Sequence, residues 1–568
     1  MSNELETILL KIIEHHPKTK DDFNDARRKI CGQMKTRQPS NMKLFTAYQS
    51  LLKKKSTKAD KNLELLLRKA DIRSMSGVAI ITSLIKPYTC PGKCIYCPTE
   101  VKMPKSYIAT EPAAARALAL AFSPYRQMQM RIEMLEKTGH PTDKIEYILK
   151  GGTWNAYPLK YQYWFILESF KACNDLTRRT PTKATLEKDW KDKTLEDVQQ
   201  ALESEQEYND KKAKHKIIGL TLETRPDAIS PKTIWHMRTQ GCTRVELGLQ
   251  APDDKILALV QRGHTVEQFR QAILLLRQAG FKVDLHFMPD LPGTTAKHDV
   301  EMYQSLFTDE GLKPDMVKIY PCTVIKSAEL YGWFQSGKYK PYDSQELFNA
   351  LLEMKKLTPY YCRISRLIRD IPSTEIEGGN AITNLRENLE KELYKQGQYC
   401  KCLRCREVGH AMKTLGHSAQ GGSALGGKNI KTNNLKLFTE KYKTIGGTEY
   451  FLSIEDPSRQ ILFAFLRLRL PDKNCENKSL SSLLGFSSLS GLAFIRELHT
   501  YGQLVNIGDK NSSASQHKGL GTKLIIEAER IARQNNYKKI AVISGVGVRS
   551  YYRKFGYKKI GTYMAKKI

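Results

Sequence analysis

The sequence predicts an α/β protein: a partial (β/α)6 barrel, then a second and smaller α/β domain, with a short helical module in front of both. Three observations carry that expectation. Six β-rich runs, VAIITSLI, IEYILKGG, IIGLTLET, RVELGLQ, FKVDLHFM and MVKIYP, recur between about residues 78 and 321. Helical stretches such as 111–138 and 266–279 lie between most of them, and strands alternating with helices argue for a parallel sheet with crossover helices. A chain of 568 residues also exceeds what one hydrophobic core fills, so further units are expected on either side of the barrel.

Composition narrows the function classes. Lys and Arg outnumber Asp and Glu by 91 to 60, a formal net charge of +31. Such an excess favours a polyanionic partner through phosphate neutralisation and counterion release. It is concentrated at the front, where residues 1–70 hold 16 Lys or Arg against 8 Asp or Glu. The runs LETILLKII and NLELLLRKA there repeat apolar residues at helical spacing, so residues 1–72 read as a basic helical module for nucleic acid. A solvated helix surface is the bland alternative. Residues 178–216 are densely charged and read as a surface helical insertion, and the glycine-rich stretch 417–434 reads as a linker. No long uncharged apolar run and no signal-peptide layout occur, so a cytoplasmic protein without membrane contact is expected. In that reducing compartment the clustered cysteines among the twelve read as metal ligands.

The segment after the first strand carries the chemistry. In YTCPGKCIYCP, Cys90, Cys94 and Cys97 place three thiolates on one tight loop. Three thiolates hold three irons of a four-iron, four-sulfur (4Fe–4S) cluster and leave the fourth iron open. S-adenosylmethionine (SAM) chelates such an iron and is cleaved reductively to a 5′-deoxyadenosyl radical. A zinc loop is the alternative, but zinc knuckles use pairs of ligands with a fourth close by. The barrel is therefore expected to be a radical SAM barrel with its ligands at the C-terminal strand ends. Gly151 and Gly152 close the second strand, where missing Cβ atoms let backbone approach the SAM amino group. Glu223, Arg225, Gln250 and His286 end later strands and form the expected SAM and substrate pocket. A second group, Cys400, Cys402 and Cys405, has the spacing of a structural zinc site, for which Cys322, Cys362, His410 or His417 would supply a fourth ligand. Three free thiols on a helix end are the alternative there.

Residues 451–568 read as alternating strands and helices, with QHKGLG heading an apolar helix that runs to about Asn535. Backbone N–H groups of Gly519, Leu520 and Gly521, aimed by the helix dipole, suit the pyrophosphate of coenzyme A. The sequel, KKIAVISG and then VRSYYRKFGYKKIG, gives the layout of a GNAT acetyltransferase domain, in which the strand before the cradle holds the acetyl group. Tyr551 or Tyr552 is expected beside the thioester as the catalytic group; a structural aromatic pair is the alternative.

Taken in order, the cysteine triplet, GGT, ETRPD, CTRVELGLQ, RGHT at residues 262–265, HFMPDLPG, KIYP, RDIP, RELHTYG, QHKGLG and AVISGVGVRSYYRKFGY resemble the family of Elongator catalytic subunits along nearly the whole chain. The short step from Cys90 to Cys94 looks like the bacterial or archaeal form. The resemblance implies a tRNA uridine carboxymethyl synthase, which uses acetyl-coenzyme A (acetyl-CoA) and SAM to make 5-carboxymethyluridine at wobble position 34. The deoxyadenosyl radical takes a hydrogen from the acetyl methyl group, the carbon radical adds to carbon 5 of uridine, and thioester hydrolysis releases coenzyme A. It also implies acetyl-CoA contacts at Lys144, at Glu497, Leu498, His499 and Thr500, at the loop 519–521 and at Tyr551. Lys144 rests on the resemblance alone. Implied partners are the tRNA anticodon stem–loop and an electron donor, and Elongator-type subunits are compatible but not required. The expected boundaries are 1–72 for the helical module, 73–380 for the barrel, 381–434 for the zinc-binding segment and linker, and 435–568 for the GNAT domain.

Two other classes compete. A protein-lysine acetyltransferase would need only the GNAT domain, with the radical SAM domain as scaffold. A tRNA-binding module would need only the basic front, and has no use for three open-cluster cysteines.

Overall fold

The computed structural model describes residues 2–68, 76–178, 191–414, 434–501 and 519–568. At the front, helices Ser2–Glu14, Lys20–Gln33, Asn41–Lys53 and Lys61–Leu67 close on their own apolar cluster, which includes Ile8, Phe23, Leu44 and Tyr48. Thr19, Ser40 and Asp60 cap three of these helices by accepting first-turn N–H groups. Arg68 Nε donates to the Gly139 carbonyl at 2.8 Å and fixes this module to the barrel.

All six expected barrel strands are present: β1 (Ala79–Leu84), β2 (Lys144–Lys150), β3 (Lys216–Thr224), β4 (Arg244–Gln250), β5 (Lys282–Phe287) and β6 (Met316–Ile319). They pair in parallel in chain order. The sheet has a seventh member that the sequence reading missed. After a short β7 (Thr323–Val324), β8 (Arg363–Arg366) adds in parallel to β6, with Met316 opposite Arg363. Its four residues, Arg-Ile-Ser-Arg, contain one apolar side chain and carry no strand signal of their own. A further two-residue strand, β9 (Gly378–Gly379), pairs with β7. The charged stretch before β3 also differs from the surface insertion expected. Its helix Leu195–Lys211 buries Val198, Leu202 and Asn209 against the helix Leu159–Arg178. Residues 179–190, and 417–433 of the expected linker, lie outside the described residues.

The second sheet has seven strands: β10 (Lys436–Thr444), β11 (Gly447–Glu455), β12 (Leu462–Pro471), β13 (Leu492–Thr500), β14 (Lys539–Val542), β15 (Lys558–Ile560) and β16 (Tyr563–Lys567). Their order is β10-β11-β12-β13-β14-β16-β15, antiparallel except for the parallel pair β13–β14. The helix Leu520–Gln534 covers one face, where Leu452, Leu466 and Leu524 share a cluster. The other face lies on the barrel, so both faces of β11 and β12 are buried throughout.

Charged side chains on that second face must therefore be paired. Arg496 of β13 donates to Asp315 Oδ2 at 2.8 Å, to the Phe281 carbonyl at 2.6 Å and to Glu449 Oε2 at 3.1 Å. Glu449 also accepts from Arg277 at 2.8 Å and Arg469 at 3.0 Å, and Arg467 binds Glu497 at 2.9 Å. Burial alone would raise the Asp315 carboxyl, but Arg496, Arg277 and Arg467 outweigh it and hold it well below the usual carboxylate range. This ionic clamp joins the N-terminal ends of the barrel strands to the second sheet.

Candidate active site

The cysteine triplet lies directly after β1, at the C-terminal end of the sheet. Arg262, from RGHT beyond β4, donates to Cys94 Sγ at 3.5 Å and to the Gly248 carbonyl at 2.6 Å. The hydrogen bond from Cys97 and then the Arg262 charge bring the Cys94 thiol down to about 4 against the opposing effect of burial. Cys90 Sγ lies 3.7 Å from Thr153 Oγ1 of the KGGT turn, and Gly92 N–H donates to it at 3.4 Å. Among the described residues, Cys400, Cys402 and Cys405 form the one group of three or more Cys, His, Asp or Glu residues whose ligand atoms all lie within 4.8 Å of one another. The triplet is more open, as suits thiolates that each hold a different iron rather than one shared ion.

The four strand-end residues are brought to this same mouth. Tyr107 Oη donates to Glu223 Oε2 at 2.8 Å. Arg225 binds Asp227 through two bonds of 2.9 Å, while its buried Nη1 has no partner and points at Gly92, where any Cβ would collide with it. Gln250 sits at φ +78 beside a bulge, its buried Oε1 unpaired. His286 Nε2 is 3.4 Å from Glu246 Oε2 and packs edge-on to Tyr320. Gly151 (φ +145) and Gly152 (φ +90) take backbone conformations that side chains disfavour, and a Cβ on Gly151 would enter the Ile85 side chain. Orphaned polar atoms around a glycine-lined cradle are what a bound polar cofactor would satisfy.

The barrel interior below this mouth is polar. Lys150, Lys318 and His286 surround Glu246, and Glu146 pairs with Arg244 at 3.0 Å. Asp284 continues the row, accepting from Ser365 at 3.3 Å. At the foot of β5, Lys282 reaches Glu497 of β13 at 3.4 Å. A closed (β/α)8 barrel is normally filled by branched apolar residues; in this partial barrel charge runs from the cluster loop to the second sheet.

Among the described residues, pairing between β13 and β14 covers Leu492–Ile495, and β13 continues beyond it to Thr500. Its alternate residues split between two faces. Glu497 and His499 face the barrel, with Phe465 and Tyr501 beside His499. Leu498 packs with the cluster beneath the helix Leu520–Gln534, and Thr500 lies beside Gly521. Gly519 caps that helix at φ +70, and a Cβ on Gly521 would stand 2.6 Å from Tyr551 Oη. Tyr551 thus faces the helix N-terminus, whereas Tyr552 is buried in the core next to Tyr557. Lys144 heads β2 opposite Lys216, and the Val546–Val548 turn before the tyrosines packs on β3. Gln516, His517 and Lys518 of QHKGLG lie outside the described residues.

In the second cysteine group, Cys405 Sγ lies 3.4 Å from Glu390 Oε1 and 3.8 Å from the fully buried Lys355 Nζ. Leu403 N–H donates to the Cys362 carbonyl at 2.9 Å, which keeps that residue close. Cys322 is elsewhere, its N–H bonded to the Pro289 carbonyl beside Asp290, so it does not complete this group. His417 lies outside the described residues.

Residues 84–306 match the radical SAM superfamily and residues 314–395 the radical SAM C-terminal domain. The chain is 41% identical to the tRNA uridine(34) acetyltransferase of Methanocaldococcus infernus, over 91% of each chain. The chain belongs to this family. Another member, Elongator complex protein 3 of Homo sapiens, is 33% identical over 98% of this chain and 96% of its own. The fold matches the solved structure of the archaeal Methanocaldococcus infernus Elp3 with an N-terminal deletion, at a TM-score of 0.69 and 38% identity, covering 87% of this chain and all of that one.

In this family member the two candidate stations lie at opposite ends of the barrel strands. The cysteine loop is at the C-terminal ends of the barrel strands, and Glu497 of β13 is at their N-terminal ends, against Lys282. The length of β5 between them is about 17 Å at the usual rise per residue. Arg262 was the main site residue overlooked. Its signal lay in RGHT, a basic residue just beyond the strand that ends in Gln250. One expected outcome follows from the KGGT turn. Gly151→Ala should weaken SAM binding by tenfold or more, about 1.4 kcal/mol, because strain and the Ile85 clash displace the turn; isothermal titration of the reconstituted protein checks it.

Proposed function

We propose that this protein converts the wobble uridine of tRNA to 5-carboxymethyluridine, with acetyl-CoA as carbon donor and SAM as radical source. The observation that carries the proposal is the pairing of two sites on one chain. An open three-thiolate loop stands at one end of a polar barrel, and the end of β13 beside the glycine-headed helix stands at the other, joined to the barrel by Lys282 and Glu497. Cys90, Cys94 and Cys97 would hold the cluster, and Arg262 favours the thiolate form of Cys94. When bound, the cluster with SAM supplies a carbon radical able to take hydrogen from an acetyl methyl group. Gly151, Gly152, Glu223, Arg225, Gln250 and His286 would line the SAM and substrate pocket.

The stretch of β13 from Glu497 to Thr500 would run beside the extended arm of acetyl-CoA, much as a sheet edge receives an added strand. Gly519, Leu520 and Gly521 present the helix N-terminus to the pyrophosphate. Tyr551 would stand nearest the thioester; Tyr552 supports it from the core. Lys144 would approach from the foot of β2. The basic front would engage the stem–loop phosphates, and an external one-electron donor would reach the partly exposed Cys90 and Cys97. No helix among the described residues is long and apolar enough to cross a membrane.

Cys400, Cys402 and Cys405 fit a structural zinc, with Lys355 compensating the excess thiolate charge. Cys402→Ser should abolish the bound zinc and lower the melting temperature by several degrees, as loss of a structural metal does. Metal analysis beside calorimetry measures it, and an unchanged zinc content would remove the assignment. The function itself is tested by nucleoside analysis of tRNA incubated anaerobically with reduced protein, SAM and acetyl-CoA. Formation of 5-carboxymethyluridine is expected only when all three are present.

A further inference from the structure

The last turn of β13 carries a histidine to which no step above gives a chemical task. His499 stands opposite Phe465 of β12 and points to the barrel side, as Glu497 does two residues earlier. Two aromatic rings hold it: Phe465 lies nearly parallel at 6.0 Å, and Tyr501 sits at 4.2 Å. The Ser76 carbonyl accepts from the ring, while the buried Nε2 has no hydrogen-bond partner among the described residues. With the other nitrogen donating, Nε2 is the acceptor of the neutral ring. A histidine kept only for packing normally satisfies its buried nitrogens, so an orphaned acceptor on this strand calls for a ligand.

Its neighbours separate His499 from Glu497, the other base on this face. Glu497 is bound by Arg467 at 2.9 Å and by Lys282 at 3.4 Å. Against the effect of burial, Lys282 and Arg467 bring its carboxyl down to about 2, and a carboxylate neutralised twice accepts a proton poorly. His499 has no such ion pair. Burial brings its ring down to about 4, against the charge of Glu497, so the ring is neutral with a lone pair available. Negative charge growing on a thioester oxygen nearby would raise its basicity again as attack proceeds. The next residue, Thr500, lies beside Gly521 on the opposite face. A thioester at this strand end therefore meets Tyr551 from the helix side and His499 from the barrel side.

We propose that His499 is the general base of thioester hydrolysis, activating the water that releases coenzyme A from the uridine-bound acetyl unit. The inference rests on the function proposed above and assigns a residue to one of its steps. Nε2 takes a proton from water as the water oxygen bonds to the thioester carbonyl carbon. The carbon–sulfur bond then breaks, and the departing thiolate takes that proton back from the imidazolium. The carboxylic acid left on the uridine ionises to solvent, and no electron is exchanged. Without the base, the reaction halts at uridine joined to coenzyme A through its new thioester.

The test compares wild type with His499→Gln as full-length reconstituted protein, supplied with tRNA, SAM, reductant and saturating methyl-deuterated acetyl-CoA. Deuterated 5′-deoxyadenosine, carboxymethyluridine and the intact tRNA mass are measured on each sample. Wild type should form the first two in near-equal amounts. In His499→Gln the ratio of deuterated 5′-deoxyadenosine to carboxymethyluridine should rise about a hundredfold, the scale of a lost general base, and tRNA carrying the coenzyme A adduct should accumulate. Imidazole added to His499→Ala should speed release of that adduct about tenfold, by replacing the missing base. The ratio counts only turnovers of folded protein, so partial misfolding does not imitate it. A merely structural histidine would lower both products together. An unchanged ratio in an active variant, or a raised ratio with no adduct on the tRNA, overturns the role of His499 alone. Wild type that makes no carboxymethyluridine overturns the tRNA reading, and this assignment with it.

Discussion

Cys94→Ser is expected to remove the cluster iron and to lower carboxymethyluridine formation by at least about a thousandfold, the scale set when a radical source is deleted rather than weakened. Acetyl-CoA binding should stay within about twofold of wild type. The reasons are local. Cys94 is buried, bonded to Arg262, and the only triplet thiol so placed. A serine hydroxyl does not ionise there and is a poor ligand for iron in a sulfur cluster. The edge of β13 lies at the other end of the barrel strands and shares no contact with Cys94, so the two losses are separable. Iron analysis, nucleoside analysis and acetyl-CoA titration on one preparation measure all three. A protein-lysine acetyltransferase with an idle barrel would lose the iron and keep its activity, which is the outcome that decides between the two enzyme classes.

Arg496→Met should destabilise the protein by about 3–5 kcal/mol in urea unfolding, the usual consequence of removing one partner from a buried ionic cluster. Methionine fills most of the arginine volume but leaves Asp315 and Glu449 without their shared cation. The pH dependence provides a second signature. Asp315 has a folded-state pKa depressed below its unfolded value, so its stabilising contribution is fully present above the unfolded value near 4 and is lost as pH falls through the acid range. Wild-type stability should therefore drop steeply below about pH 4, and the variant should show a shallower drop. Equal slopes for the two proteins would show that the clamp does not set acid stability.

Which features were legible in the sequence follows from the range of the interactions involved. The cysteine triplet, the strand ends and the glycine turns are local: spacing alone places Cys90, Cys94 and Cys97 on one loop and Gly151 at a strand end. The clamp is not local. Arg467 and Arg469 alternate with leucines in FLRLRL, which reads as a strand with one solvated face. Both are buried, because that face lies on the barrel, and their fold partners include Asp315 and Glu449. Strand β8 was hidden for the opposite reason, since its four residues acquire a strand conformation only by pairing with β6. The choice between Tyr551 and Tyr552 also needed the fold. Neighbours in a short helix point in different directions, and only the packing shows that Tyr551 meets Gly521. His286 and Gln250 lie at the ends of their strands, as the spacing indicates, but the lysines Lys150 and Lys318 that surround Glu246 beneath them had no signal beyond strand alternation.

The central claim is that the radical formed at the cysteine loop acts on the acetyl group held by the second sheet. Its most direct test is an anaerobic turnover with methyl-deuterated acetyl-CoA, followed by mass analysis of the 5′-deoxyadenosine and of the tRNA nucleosides. The account predicts deuterium in 5′-deoxyadenosine and in the carboxymethyl group of the modified uridine, both only when tRNA is present. Unlabelled 5′-deoxyadenosine alongside carboxymethyluridine would contradict it.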